Sequence, residues 1–96
     1  PGPVFIATLG EAAHAEGVRM AQALRRAGIP AAVSYETRSL KAQMKDAARQ
    51  EARFTLILGE DELARGEATL RDMGAGEQTA VKITGIVMLL TQRYTE

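Results

Sequence analysis

The sequence predicts an α/β fold: a mixed sheet with helices on both faces. Two observations carry this. Short apolar runs at 4–9, 31–35 and 54–58 alternate with segments of helical periodicity, the pattern of parallel strands joined by crossover helices. After the third run the pattern changes to two short strand-like segments about Gly74-Ala75-Gly76, an antiparallel hairpin that makes the sheet mixed.

Val4-Phe5-Ile6-Ala7-Thr8-Leu9 is nearly continuous in apolar character and ends at Gly10, as a strand buried on both faces does. From Glu11 onward Ala13, Gly17, Met20, Ala21 and Leu24 recur at helical spacing, and Gly28 follows the last turn. Pro30 then opens a second strand over Ala31-Ala32-Val33-Ser34-Tyr35, and a strand-helix-strand order of this length implies a right-handed crossover. Ser39 is the expected N-cap of a second helix. Leu40, Met44, Ala47 and Ala48 form its apolar stripe, and Lys41, Lys45 and Arg49 form a basic one.

Phe54-Thr55-Leu56-Ile57-Leu58-Gly59 repeats the run-then-glycine pattern and is the third strand, with Glu60-Asp61-Glu62 at its C-terminal end. The hairpin strands are expected at 68–73 and 77–81. Ile83, Ile86, Val87 and Leu90 mark a closing helix through Arg93, in which Gly85 costs about 1 kcal/mol relative to alanine. Five strands and three helices are expected in one domain over residues 1–96, with no internal repeat or linker.

Composition narrows the chemistry. The 96 residues hold no cysteine and one histidine, which excludes disulfides, thiolate metal ligands and a His cluster for zinc or iron. A folded chain of this mass keeps roughly 5,400 Å² accessible and has no room for a deep cavity. The longest apolar run, Ile86 to Leu90, is far short of a bilayer span, and no signal pattern opens the chain, so it is read as soluble and cytoplasmic.

Net charge is zero, from 12 Lys+Arg against 12 Asp+Glu, yet it is unevenly spread. Residues 38–53 carry Arg38, Lys41, Lys45, Arg49 and Arg53 against Asp46 and Glu51. Residues 60–77 carry Glu60, Asp61, Glu62, Glu67, Asp72 and Glu77 against Arg65 and Arg71. Local patches of this kind can steer a polyanion.

Catalytic signatures are missing. Gly10-Glu11 lacks the further glycines of a dinucleotide fingerprint, and no Gly-Lys-Ser/Thr phosphate loop occurs. His14 has neither a nucleophile nor an orienting carboxylate predictable beside it and reads as a solvated helix histidine. Consecutive acids at 60–62 point in different directions and read as solvation or helix capping before Mg²⁺ binding. A phospho-receiver would need an Asp ending the third strand, where this chain has Gly59-Glu60.

On composition alone the basic stripe is the wet face of a helix; its placement gives it further meaning. In open α/β sheets ligands gather at the C-terminal ends of parallel strands, where Gly10, Tyr35 to Ser39 and Glu60 to Glu62 converge. Tyr35 can stack on a base, Arg38 and Lys41 can meet phosphate, and Glu36 and Glu60 can accept from exocyclic amines. Single-stranded RNA suits that mixture. Tyr94 is expected to pack.

Three ordered segments then point to a family. Arg38-Ser39-Leu40-Lys41-Ala42-Gln43-Met44-Lys45, Ile57-Leu58-Gly59-Glu60-Asp61-Glu62-Leu63 and Gly76-Glu77-Gln78-Thr79-Ala80-Val81 closely resemble the C-terminal anticodon-binding domain of histidyl-tRNA synthetases, over about 3–94. The resemblance implies a three-layer α/β/α domain with a five-stranded mixed sheet, shared by the class II synthetases for histidine, threonine, proline and glycine. It implies a partner, the anticodon loop of histidine tRNA, and a parent that is a homodimeric cytoplasmic ligase. In that parent a separate catalytic domain uses ATP and Mg; the present chain, an excised C-terminal domain, has no catalytic residues, metal or cofactor of its own and no role on membrane or DNA.

Carried over by position, the tRNA contacts fall between Arg38 and Lys45. Arg38 and Lys41 are placed on phosphate or base edges and Gln43 on a base, with Ser39 and Lys45 in the same segment, Tyr35 and Glu36 before it, and Glu60 adding a base-edge contact. The chain departs from the family at Ala42, commonly a second lysine, and at Glu51, commonly a glycine. Its last helix is more apolar than is usual, so Met88 and Leu89 are expected to cover a surface against another domain or subunit. The alternative is a synthetase-like interaction module that does not discriminate tRNA; a free-standing enzyme would need a catalytic group the sequence does not offer.

Overall fold

The computed structural model describes residues 2–35 and 38–96. The elements are β1 (Val4–Thr8), α1 (Glu11–Arg26), β2 (Ala31–Val33), α2 (Leu40–Arg49), β3 (Phe54–Leu58), α3 (Glu60–Ala64), β4 (Glu67–Asp72), β5 (Gln78–Lys82), a 3-10 turn (Ile83–Gly85) and α4 (Ile86–Tyr94). The accessible surface is 5415 Å².

The five strands lie in the order β2-β1-β3-β4-β5. β1 pairs in parallel with β2 and β3, while β4 and β5 continue the sheet antiparallel. β1 is buried at every residue, which is why its sequence lacks polar alternation. Its side chains alternate between two cores. Val4 and Ile6 join Phe54, Leu56, Leu58, Ala68 and Leu70 under α1 and α4. Phe5 and Ala7 join Ala47 and Ala52 under α2. The expected mixed sheet between two helical layers is thus formed.

Helix count differs from expectation: a fourth helix, α3, is built from the acidic triplet. The Gly59 N–H donates to Glu62 Oε1 at 3.0 Å, acids occupy the positive end of the helix, and Gly66 (φ 69°) ends it. Five residues are too few for a periodic signal. The closing helix also starts later than Ile83, because the 3-10 turn takes up Gly85. β2 is shorter than expected and stops at Val33, leaving Tyr35 outside the sheet.

The ends of α1 and α2 share one geometry. After α1, Ile29 N–H donates to Leu24 O and Gly28 N–H to Arg25 O, with Gly28 at φ 85°. After α2, Ala52 N–H donates to Ala47 O and Glu51 N–H to Ala48 O, with Glu51 at φ 54°. Both are Schellman stops, which favour glycine at the left-handed position. Glu51 is the position where the resemblance leads one to expect a glycine.

Candidate nucleic-acid interface

From β1 the chain turns through α1 to β2 on one side, whereas β3 lies on the other side of β1. The C-terminal ends of β1 and β3 therefore flank a topological switch point, the usual ligand crevice of such sheets. An open cleft of about 620 Å³ lies there, lined by Leu9, Gly10, Gly59, Glu60, Asp61 and Glu62. Gly10 has φ 104°, and a Cβ on it would stand 2.7 Å from Glu60 Oε2. Any larger residue would displace the Glu60 carboxylate as well as strain the backbone. Leu9 is exposed beside it.

Tyr35 stands beyond the end of β2 with 76% of its surface exposed. Ser39 caps α2 as expected, its Oγ accepting from Ala42 N–H at 3.1 Å. Arg38 is half-buried and ion-pairs with Asp46 at 2.8 Å; Asp46 also pairs with Arg49. Lys41 and Lys45 are exposed on α2 and have no ion-pair partner among the described residues. Glu36 lies outside the described residues.

Gln43 is not where its expected base contact requires it. The side chain is fully buried: Oε1 accepts from Thr8 N–H at 2.8 Å, and Nε2 donates to Thr8 O and Arg38 O, each at 2.8 Å. Three of the amide's four hydrogen-bonding positions are thereby used inside the protein. The signal was present in the spacing, since Leu40, Gln43 and Ala47 share one helical stripe. His14 also differs from expectation: it is half-buried, with Nδ1 3.3 Å from Thr8 Oγ1.

The edge is electrically polarised. Lys41, Lys45 and Arg49 belong to α2 on one side of the sheet, and strand alternation puts Glu67, Arg71 and Lys82 on that same side, since Ala68, Leu70 and Val81 face the opposite core; Lys82 stands opposite Glu67, and Arg71 opposite Thr55 near the start of β3. Sequence reading did not single out Arg71 and Lys82, because only the strand register shows their common face. The acids of α3 sit in the other layer, where Leu63 packs on the α1 core. Among the described residues no three His, Asp or Glu side chains are grouped so as to hold a metal ion. No described helix is long and apolar enough to cross a membrane.

Comparison with known proteins places the chain. A family model described as "Anticodon binding domain" matches residues 3–93. The chain belongs to the anticodon binding domain family. Histidine–tRNA ligase of Pelotomaculum thermopropionicum is 48% identical over 98% of this chain and 22% of that protein. The histidine–tRNA ligase of Desulforudis audaxviator is 54% identical over 90% of the chain and 20% of its own length. Among solved structures, apo histidyl-tRNA synthetase of S. aureus superposes with a TM-score of 0.85 at 33% identity, over 91% of this chain and 25% of that one. The anticodon-binding domain thus spans about a fifth of the length of the curated relatives it matches.

Proposed function

We propose that this anticodon-binding domain recognises the anticodon loop of histidine tRNA for a longer histidine–tRNA ligase. The observation that carries the proposal is the exposed ring of Tyr35 with Lys41 and Lys45, which have no ion-pair partner among the described residues, set beside the Leu9–Glu62 cleft at one sheet edge in a chain of this family. Tyr35 offers a stacking surface for a base. Lys41 and Lys45 neutralise phosphates, and Arg38 adds charge from a position fixed by Asp46. Glu60, across β1 from them, accepts from base amino groups. Glu36 keeps the same role as an expectation from sequence. Ser39 acts through the start of α2.

Aminoacylation and the binding of ATP and Mg are assigned to the remainder of the parent, with a homodimeric cytoplasmic enzyme as its expected form. The test is a salt titration of anticodon stem-loop binding by the wild-type domain and by Lys41→Ala. Removal of one phosphate contact lowers the slope of log affinity against log salt by about 1 and weakens all sequences alike. An unchanged affinity and slope would take Lys41 out of the interface.

A further inference from the structure

β2 makes its last rung where Ser34 N–H donates to Ile6 O at 3.0 Å, yet β1 runs on to Thr8. Backbone alternation turns the N–H and C=O of Thr8 towards the place where β2 would have continued, while Leu9 N–H turns the other way to Leu58 O at 3.0 Å. The Gln43 amide fills that place, accepting from one Thr8 group and donating to the other. Its second N–H holds the Arg38 carbonyl.

We infer that Gln43 is a positioning residue of the RNA interface. Standing in for the next residue of β2, it frees the chain to leave the sheet after Ser34, so that Tyr35 projects from the edge. Holding Arg38, it sets the start of α2, and with it Lys41, at a fixed distance from the Gly10–Glu60 cleft. An apolar side chain at this position would leave the Thr8 N–H and C=O buried without partners. The inference rests on the RNA-binding reading of this edge.

The experiment measures anticodon stem-loop binding by the wild-type chain, Gln43→Leu and Gln43→Glu, with circular dichroism confirming a folded state at the working temperature. Gln43→Leu is expected to weaken binding about tenfold, and to weaken it less than about twofold in a background already carrying Tyr35→Ala and Lys41→Ala, because the residues it positions are gone. If Gln43→Leu does not fold, Gln43→Glu carries the test. Its carboxylate still accepts from Thr8 N–H but opposes two carbonyls, and its protonated form donates to one, so its affinity relative to wild type rises from about pH 8 to about pH 5.5. Arg38 and its partner Asp46, and His14 beside Thr8, face the same pocket of structure, and the ratio to wild type at each pH removes their contribution.

A folded Gln43→Leu chain with wild-type affinity, equal losses in both backgrounds, or a pH-independent ratio for Gln43→Glu would overturn the assignment. Absence of binding by the wild-type chain would sink the RNA reading itself, whereas wild-type binding with an indifferent Gln43 would sink only this inference.

Discussion

Glu51 holds a left-handed conformation at the end of α2 for which α1 uses Gly28. The two stops share their hydrogen bonds, so the difference is confined to the cost of a Cβ at positive φ. Glu51→Gly is accordingly expected to stabilise the fold by about 0.5–1 kcal/mol in a denaturant titration. Asp72 is the opposite case, a side chain that earns its place through contacts. Its Oδ1 accepts from the N–H groups of Ala75 and Gly74, both at 3.0 Å, and Arg93 lies 3.4 Å from Oδ2. The Ala75 amide above all holds its carboxyl below the usual carboxylate range; burial, the next largest influence, opposes it, and the Gly74 amide and Arg93 add to the lowering. A carboxyl lowered on folding contributes stability above its unfolded pKa of about 3.9 and loses it as pH falls through the folded value. Asp72→Asn should therefore flatten the decline of stability below about pH 4, read from denaturation midpoints against pH. Residue identity misled at Gln43, where polarity suggests a base contact and burial assigns a structural bond. Arg38 was legible as a cation, but its pairing with Asp46 shows only in the fold.

Among the elements, β1 and β3 were legible because burial on both faces writes a continuous apolar run, and β2, half-buried at the sheet edge, was marked by Pro30 before it. The hairpin announced itself through its glycines. β2 was overextended by two residues, since nothing in Ser34-Tyr35 signals that a side-chain amide from α2 will replace the strand. α3 was missed as a helix although its capping residue, Glu62, was within the segment read as solvation or capping. Leu89 turns partly to the chain's own core, while Met88 is the exposed large apolar residue of α4, at 72%. On the proposed reading the start of α2 matters most, because it presents Lys41. Ser39→Ala removes its cap and is expected to cost about 1 kcal/mol by thermal or chemical denaturation. A loss below about 0.3 kcal/mol would show that the cap does not hold this end.

For the whole molecule, zero net charge conceals a separation across the sheet. The α2 side of the sheet carries Lys41, Lys45, Arg49, Arg71 and Lys82 against Asp46 and Glu67, while Glu60, Asp61 and Glu62 lie at the other side of the switch point. The sequence already showed the two charge runs; only the fold shows that the start of α2, with Lys41, and the acids of α3 lie at the same end of the parallel strands. A single strand laid across that edge would place its backbone on the basic side and bases towards the acidic cleft, combining salt-sensitive affinity with base selection. The most direct measurement is equilibrium binding of the domain to a histidine-tRNA anticodon stem-loop and to one with a swapped anticodon, over a salt series. The account predicts tighter binding of the cognate loop at every salt concentration and a linear fall of log affinity with log salt for both. Equal affinity for the two loops, or no binding to either, would contradict it and leave the domain as an interaction module.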